Sequence, residues 1–298
     1  MTLSETPARA PQPVRIPCAD GVELGGTLYR SPEGVPPRGA LLLSSATGVP
    51  QGFYSAFAAH LASRGFPTLT YDYRGIGGSR PPSLRGFDAR MQDWARLDAS
   101  AALAWLSERE SGPLFLVGHS VGGQLVGLVR GRERLRAILA VATSTGTWWK
   151  MSGSYRLFCG FVWYVFAPPA LGLAGYLPAR RIGTGEDLPA GVAREWSRWC
   201  RSEDYFGRHL PTEDLQAMSD VRQPWRSLAF TDDPIANRTT VPALLRFYPS
   251  VHLESRFVEP REIGASRIGH LGFFSRRLGD RLWPLAVEFL EAQAARPD

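Results

Sequence analysis

Residues 114–123 read LFLVGHSVGG, a short apolar run followed at once by a serine among glycines. The run is continuous and of strand length, which predicts a strand buried on both faces, and the chain is expected to resume as a helix to about Arg130. A serine at such a junction occupies a sharp turn, and small neighbours let the strand and the helix approach each other. Gly118 and Gly122 supply that room, so Ser120 is predicted to stand exposed at a nucleophile elbow.

Similar apolar runs recur along the chain and alternate with segments of helical periodicity, as at residues 53–64 and 94–107. Strands that are apolar on both faces must be covered on both faces. The alternation therefore predicts an α/β fold with a mostly parallel central sheet and helices on both faces. The other predicted strands are residues 14–18, 23–29, 39–45, 66–73, 137–143, 227–231 and 255–258, and a last helix is predicted near residues 280–294.

The alternation stops for about 75 residues after residue 143, and this gap is rich in aromatic side chains. Residues 148–206 hold 13 of the 33 aromatic residues of the chain, about twice their proportional share. The composition predicts a core formed by residues 1–145 and 220–298, and an inserted helical cap, residues 146–219, that acts as a lid over a pocket.

Within the cap, residues 157–179 carry no formal charge over a length that a helix needs to cross a bilayer. Pro168 and Pro169 lie in the middle of this segment, remove two backbone donors and favour a broken pair of helices. A lid is therefore favoured over membrane association or a partner surface, and no stable membrane insertion is expected.

A serine hydroxyl is a weak nucleophile near neutral pH, so Ser120 requires a base and a carboxylate that orients the base. Of the five histidines, His270 lies in a glycine-flanked loop between the last strand and the last helix. Asp233 follows the strand at residues 227–231 closely, at the strand end where ligand chemistry in α/β folds usually occurs, and Asp232 is expected to support or cap the loop. The helix that starts after Ser120 also presents the backbone N–H of Val121 to a developing oxyanion.

The order serine, acid, histidine, with spacings of 113 and 37 residues, is that of one hydrolase architecture. The chain resembles the α/β-hydrolase superfamily over residues 14–143 and 227–290. The motifs that carry the resemblance are DYRGIGGS (residues 72–79), GHSVG (residues 118–122), TDDP (residues 231–234) and GHLG (residues 269–272). The cap resembles that of a bacterial group of α/β hydrolases without a settled substrate, through RIGTGEDLP (residues 181–189) and WSRWC (residues 196–200).

The resemblance implies a lidded serine hydrolase that cleaves a carboxylic ester or related acyl bond through an acyl-enzyme formed on Ser120. Superfamily members often carry His-Gly after the first central strand, but this chain has SSATG at residues 44–48. Either Ala46 or Thr47 is then expected to give the second oxyanion N–H, and the choice stays open. Trp148 and Trp149 are candidates to line the substrate pocket, while most other aromatic residues of the cap are expected to form its own core.

The overall charge points to no particular partner. The net charge is +6, but the positive residues are arginines scattered along the chain, with Lys150 as the single lysine. No nucleic-acid partner is expected, because neither a helix-turn-helix pattern nor an aromatic stacking platform accompanies them. The glycine-rich residues 75–78 lack the lysine of a phosphate loop and are interpreted as a turn beside the active site.

Cys18, Cys159 and Cys200 match neither a zinc ribbon nor a CxxC motif, so no metal and no organic cofactor is expected, and the thiols favour a reduced compartment. The N-terminal segment shows no secretory signal, and a cytoplasmic location is expected. The expected partner is a small-molecule acyl substrate, and the sequence leaves the oligomeric state open. Two alternatives remain, an acyltransferase that uses the same three residues and a non-catalytic binding protein of the same fold. A dehalogenase or epoxide hydrolase is disfavoured, because these resemble the superfamily but carry aspartate where Ser120 stands.

Overall fold

A computed structural model describes residues 9–297 of the chain. The first eight residues, on which the expectation of no secretory signal partly rests, lie outside the described residues. The described strands are β1 (Gln12–Pro17), β2 (Glu23–Tyr29), β3 (Ala40–Ser44), β4 (Thr68–Tyr71), β5 (Leu114–His119), β6 (Leu135–Val141), β7 (Tyr176–Leu177), β8 (Leu188–Pro189), β9 (Pro224–Phe230) and β10 (His252–Val258). The described α-helices are α1 (Ser55–Ser63), α2 (Ser100–Ser107), α3 (Val121–Gln124), α4 (Gly153–Phe161), α5 (Ala167–Leu173), α6 (Ala190–Cys200), α7 (Thr212–Ser219), α8 (Thr240–Leu245) and α9 (Gly279–Ala294).

Eight strands form one sheet in the order β1-β2-β4-β3-β5-β6-β9-β10, and β7 pairs with β8 separately. The pairs β1–β2 and β2–β4 are antiparallel, and the other neighbours are parallel. Alternate residues of the central strands belong to two different hydrophobic cores, Leu42 and Leu116 on one face and Leu41 and Phe115 on the other. The prediction of a mostly parallel sheet covered on both faces is confirmed.

The helix after Ser120 is shorter than the sequence predicts. It ends at Gln124, and a single 3₁₀ turn over Val126–Leu128 follows it. Gly127 lies against α7, and a Cβ on it would stand 2.6 Å from the Cα of Met218. The prediction of a helix to Arg130 is therefore wrong, because the close approach of α7 occupies the space that further helical side chains would need.

The cap is inserted between β6 and β9. These two strands are parallel neighbours in the sheet, with Ile138 of β6 opposite Trp225 of β9. The helical backbone from Gly153 to Leu173 is continuous, so the prediction of a helix pair broken at the prolines is wrong. A π-helical segment, Val162–Phe166, precedes Pro168 and Pro169, which stand in the first turn of α5. The π-helical hydrogen-bond pattern just before them, in which the Ala167 N–H donates to the Val162 carbonyl, lets the helix continue through two residues that lack an N–H.

The glycine-rich turn at residues 72–79 is held by buried polar groups. The Asp72 carboxylate accepts the N–H groups of Gly78 (2.8 Å) and Gln51 (2.7 Å). The buried Arg74 guanidinium pairs with Asp98, with 2.7 Å between Nε and Oδ1. None of residues 72–79 is among those that line the cavity at the candidate site.

Candidate active site

Ser120 stands between β5 and α3 with φ +52° and ψ −115°, a strained conformation for a residue with a side chain. Its N–H donates to the carbonyl of Val141 on β6 over 3.1 Å. The neighbouring glycines leave no space for larger residues: a Cβ on Gly118 would lie 2.5 Å from the Gly123 nitrogen, and one on Gly122 would lie 2.3 Å from the Ser44 oxygen. The close packing of strand on helix enforces the sharp turn that presents the serine side chain.

His270 and Asp233 form a hydrogen-bonded pair, with 2.7 Å between Nδ1 and Oδ2. Asp233 follows β9 and is buried, while His270 keeps part of its imidazole accessible. Burial of the Asp233 carboxyl opposes its ionisation, but the His270 imidazole and the N–H groups of Ile235 and Ala236 outweigh that effect and lower its pKa. A carboxylate that stays ionised holds the proton of the imidazole on Nδ1 and leaves Nε2 free to accept one.

The adjacent Asp232 holds the backbone of the histidine loop. Its carboxylate accepts the N–H of Ile268 over 2.9 Å and the N–H of Gly269 over 3.0 Å. The two acids therefore divide the support of His270, since Asp233 orients the side chain and Asp232 fixes the main chain just before it.

A second set of buried hydrogen bonds runs from the loop after β3 to the same histidine loop. The N–H of Ala46 donates to the Tyr54 hydroxyl (2.8 Å), which is 2.8 Å from Nδ1 of His119, and His119 Nε2 is 3.0 Å from the carbonyl oxygen of His270. Because that carbonyl can only accept, Nε2 of His119 carries the proton and Nδ1 accepts from Tyr54. Burial lowers the pKa of His119 to about 3, so the ring is neutral.

This chain of bonds bears on the two sequence candidates for the second oxyanion donor. Ala46 already donates its N–H to Tyr54. Thr47 follows in the turn after β3, and its N–H and that of Val121 donate to no protein acceptor within residues 9–297. Both groups are free for a ligand, and Thr47 lines the same cavity as Ser120.

A cavity of about 760 Å³ lies between the core and the cap, and Ser120 and His270 both line it. No hydrogen bond joins the Ser120 hydroxyl to the imidazole in the described part of the chain. Most of the wall is apolar. The larger cap side chains in the wall include Met151, Tyr155, Phe158, Val162, Trp163 and Trp196.

The prediction that Trp148 and Trp149 line the substrate pocket is wrong, because neither residue lines this cavity. The two rings contact each other edge to face. Trp148 packs against Gly160 and the Tyr164 ring, which belong to the continuous helix Gly153–Leu173, which we call the cap helix. Trp163 and Trp196 stand at the cavity instead, 4.9 Å apart and edge to face. Trp163 is one of the cap aromatic residues, most of which the sequence assigned to the core of the cap, and yet it lines the cavity.

The charged side chains that line the cavity are arginines. Arg267 and Arg277 line it, whereas none of the described residues that line it is an aspartate or a glutamate. Cys159 and Cys200 are also in the wall as free, buried thiols, and burial raises the pKa of both. No group of three or more potential metal ligands occurs in the part of the chain that the structure describes.

Tyr54 and the bonding role of His119 had no signal in the sequence. Tyr54 reads as one more apolar residue at the start of a helical stripe, and His119 reads as a neighbour of the nucleophile that points elsewhere. The hydrogen bond between them joins residues that are 65 positions apart in the chain. The pairing of β3 with β5 in the sheet brings these two residues together, and the sequence does not show that pairing.

The strand order, the elbow and the position of the acid and the histidine define an α/β hydrolase. The family model described as "Serine aminopeptidase, S33" matches residues 35–244, and the chain belongs to this hydrolase family. No curated protein sequence matches it.

Solved structures show the same fold at low sequence identity. A soluble variant of monoglyceride lipase from Saccharomyces cerevisiae, in complex with a substrate analogue, has a TM-score of 0.68 and 14% identity, and the match covers 99% of this chain and 98% of the lipase. An alpha/beta hydrolase from a Penicillium species has a TM-score of 0.63 and 18% identity, over 97% and 100%. An esterase of Pyrococcus furiosus has a TM-score of 0.57 and 14% identity, over 96% and 93%.

Proposed function

We propose that this α/β hydrolase cleaves a carboxylic ester or related acyl bond through an acyl-enzyme on Ser120. One observation carries the proposal. Ser120, with its strained backbone, lines the same cavity as His270, and Asp233 is hydrogen-bonded to Nδ1 of His270. Backbone strain of this kind is retained where the surrounding packing enforces it.

In the first half of the reaction, Ser120 Oγ attacks the carbonyl carbon and its proton passes to Nε2 of His270. The carbonyl oxygen takes up the negative charge, and the N–H groups of Val121 and Thr47 donate to it. The intermediate collapses when the bond to the alcohol oxygen breaks, and that oxygen takes the proton from Nε2. Water, deprotonated by the same imidazole, then releases the acid and restores the Ser120 hydroxyl.

The charges of the cavity favour an ester over a peptide with a free amino terminus. An aminopeptidase must hold the α-ammonium group of its substrate, and a carboxylate is the natural partner for that charge. The described lining residues include two arginines and no carboxylate side chain. The largely apolar wall fits an acyl chain instead.

A panel of esters and thioesters, graded by acyl length and run with the wild type and Ser120→Ala, tests the proposal. Turnover of at least one ester by the wild type, with its loss in Ser120→Ala, supports it. Equal rates for the two proteins would remove Ser120 from the mechanism. Product analysis with an added alcohol or amine acceptor separates the hydrolase from the alternative acyltransferase, which would form the new ester or amide in place of the acid.

A further inference from the structure

The exposed apolar side chains of this protein are concentrated on one helix. Among residues 9–297, five of the eight large hydrophobic residues with exposed side chains lie between Gly153 and Leu173, and two others, Phe53 and Leu271, line the cavity. The five form what we call the outer face of the cap helix. They are Leu157, Phe161, Tyr164, Val165 and Leu173.

The opposite side of this helix is fixed to the protein. Cys159, Val162, Trp163 and Ala167 are at most 8% exposed, and Trp163 packs edge to face on Trp196 of α6. The helix is 21 residues long and contains an 18-residue window with a mean hydropathy of 1.3, so by length and composition it could cross a bilayer. A crossing would withdraw the buried side chains from the cavity wall, so a position that leaves the helix in place and covers only its outer face is favoured.

Cations frame the outer face. Arg156 is exposed on the helix, the Arg201 guanidinium lies 5.5 Å from the Tyr164 ring centre, and Arg85 donates to the Leu173 carbonyl over 2.7 Å. None of the three forms an ion pair with another described residue. Residues 151–179 contain no aspartate or glutamate, and Glu186, the first carboxylate beyond them, is paired with Arg180.

We infer that the outer face adsorbs to the surface of an anionic phospholipid bilayer, with the helix parallel to that surface. Apolar side chains enter the acyl boundary, and the unpaired arginines meet lipid phosphates, which is the arrangement of interfacial amphipathic helices. A second copy of this chain fits the same face less well, because a two-fold contact would set the arginines of one copy against those of the other, and residues 151–179 contribute no carboxylate to pair with them.

The adsorbed position also places the cavity next to the lipid. Tyr155, Phe158, Val162 and Trp163, on the inner side of the same helix, line the cavity that holds Ser120. Adsorption does not depend on catalysis, so the surface and the proposed function fail or succeed separately.

Co-sedimentation of the full-length protein with vesicles tests the inference. Vesicles of phosphatidylcholine with about 30% phosphatidylglycerol should sediment the wild type, and Ser120→Ala should sediment equally. Raising the salt from about 50 mM to about 500 mM should weaken binding, because lipid charge is screened within a few ångströms at high salt. Absence of the wild type from the vesicle pellet at low salt overturns the inference.

The double variant Leu157→Ser/Phe161→Ser should reduce the partition coefficient about 100-fold, at about tenfold for each large side chain. Its matched control is Leu253→Ser, which changes an exposed leucine (45%) on edge strand β10 and should bind within twofold of the wild type. Equal losses in the two proteins would overturn the inference. So would a wild-type dimer in sedimentation equilibrium that the double variant converts to monomer while vesicle binding is absent.

The charges are tested with a second pair of variants. Removing the frame with Arg85→Gln, Arg156→Gln and Arg201→Gln should lower binding to the anionic vesicles at least tenfold and leave weak binding to pure phosphatidylcholine unchanged. The control Arg15→Gln, Arg256→Gln and Arg261→Gln removes the same net charge near the sheet edges. Equal effects of the two triple variants would show a response to net charge alone and would overturn the assigned face.

Discussion

The backbone N–H of Ala46 donates to the hydroxyl of Tyr54 over 2.8 Å, in the loop that follows the first central strand. This bond takes Ala46 out of the choice of oxyanion donors and leaves the N–H of Thr47, which stands at the cavity wall. Tyr54 passes the connection on through His119 to the carbonyl of His270. One buried path of hydrogen bonds thus joins the loop of the proposed oxyanion donor to the loop of the proposed base.

Replacing Tyr54 by phenylalanine breaks this path at its centre. The Ala46 N–H and Nδ1 of His119 both lose a buried partner, so we expect a loss of about 1–3 kcal/mol in unfolding free energy. We also expect a lower kcat, because the histidine loop loses one of its supports. Chemical denaturation and ester kinetics measure the two effects.

Tyr248→Phe is the matched control, since this buried phenol donates to the Gln124 carbonyl over 2.7 Å and does not contact the histidine loop. A similar loss of stability with an unchanged kcat is expected for it. If Tyr54→Phe also kept the wild-type kcat, the path would be structural support without an effect on the reaction.

His119 gives the protein a defined sensitivity to acid. The pKa of the folded state is about 3 and that of an unfolded histidine is about 6.5, so the unfolded chain binds the extra proton between these values and stability falls as the pH falls. Between pH 7.5 and pH 5 this costs about 2 kcal/mol of unfolding free energy. His119→Gln removes the titration, so its stability should decline by about that much less over the same range. Parallel curves for the two proteins would show that His119 is not buried as a neutral ring.

Asp233 and Asp232 are adjacent acids with separate tasks. Asp233→Asn is expected to lower kcat about 10⁴-fold, because an amide no longer fixes the tautomer of His270. Asp232→Asn keeps one acceptor for the N–H groups of the loop, so its loss of kcat should be below about tenfold, with a lower melting temperature. Steady-state kinetics on one ester, with thermal unfolding of each variant, separates the two. A larger loss of kcat in Asp232→Asn would reverse the assignment.

Thr47→Pro tests the second oxyanion donor, because proline removes the backbone N–H, and Thr47→Val controls for the loss of the threonine hydroxyl. We expect kcat to fall about 100- to 1,000-fold, the usual cost of one missing donor. Thr47→Val keeps the N–H and should remain within a few-fold of the wild type. Thermal unfolding checks that the proline variant is folded, and a folded variant with normal kcat would place the donor elsewhere.

The central part of the fold could be predicted from the sequence, because its strands are continuous apolar runs and the turn at Ser120 requires glycine neighbours. β2 has the predicted bounds, and most other strands differ by one to three residues at their ends. The continuous cap helix could not be predicted, because two adjacent prolines normally interrupt a helix. Here a π-helical segment before Pro168 and Pro169 accommodates them.

The candidate site also has a part that could be predicted from the sequence and a part that could not. Ser120, Asp233 and His270 each follow a strand, and their positions in the chain suggest their place in the sheet. Which aromatic residues of the cap face the cavity depends on how the helix is rotated on the core. Trp148 therefore points away, while Trp163 lines the wall.

The most direct test of the central claim is the site of covalent labelling by a fluorophosphonate. The folded wild type should gain the mass of one probe, and mass spectrometry should locate it within the tryptic peptide Glu110–Arg130, on Ser120 and not on Ser111. Ser120→Ala should stay unlabelled. No labelling of the folded wild type, or equal labelling of the alanine variant, would contradict the assignment of Ser120 as the nucleophile.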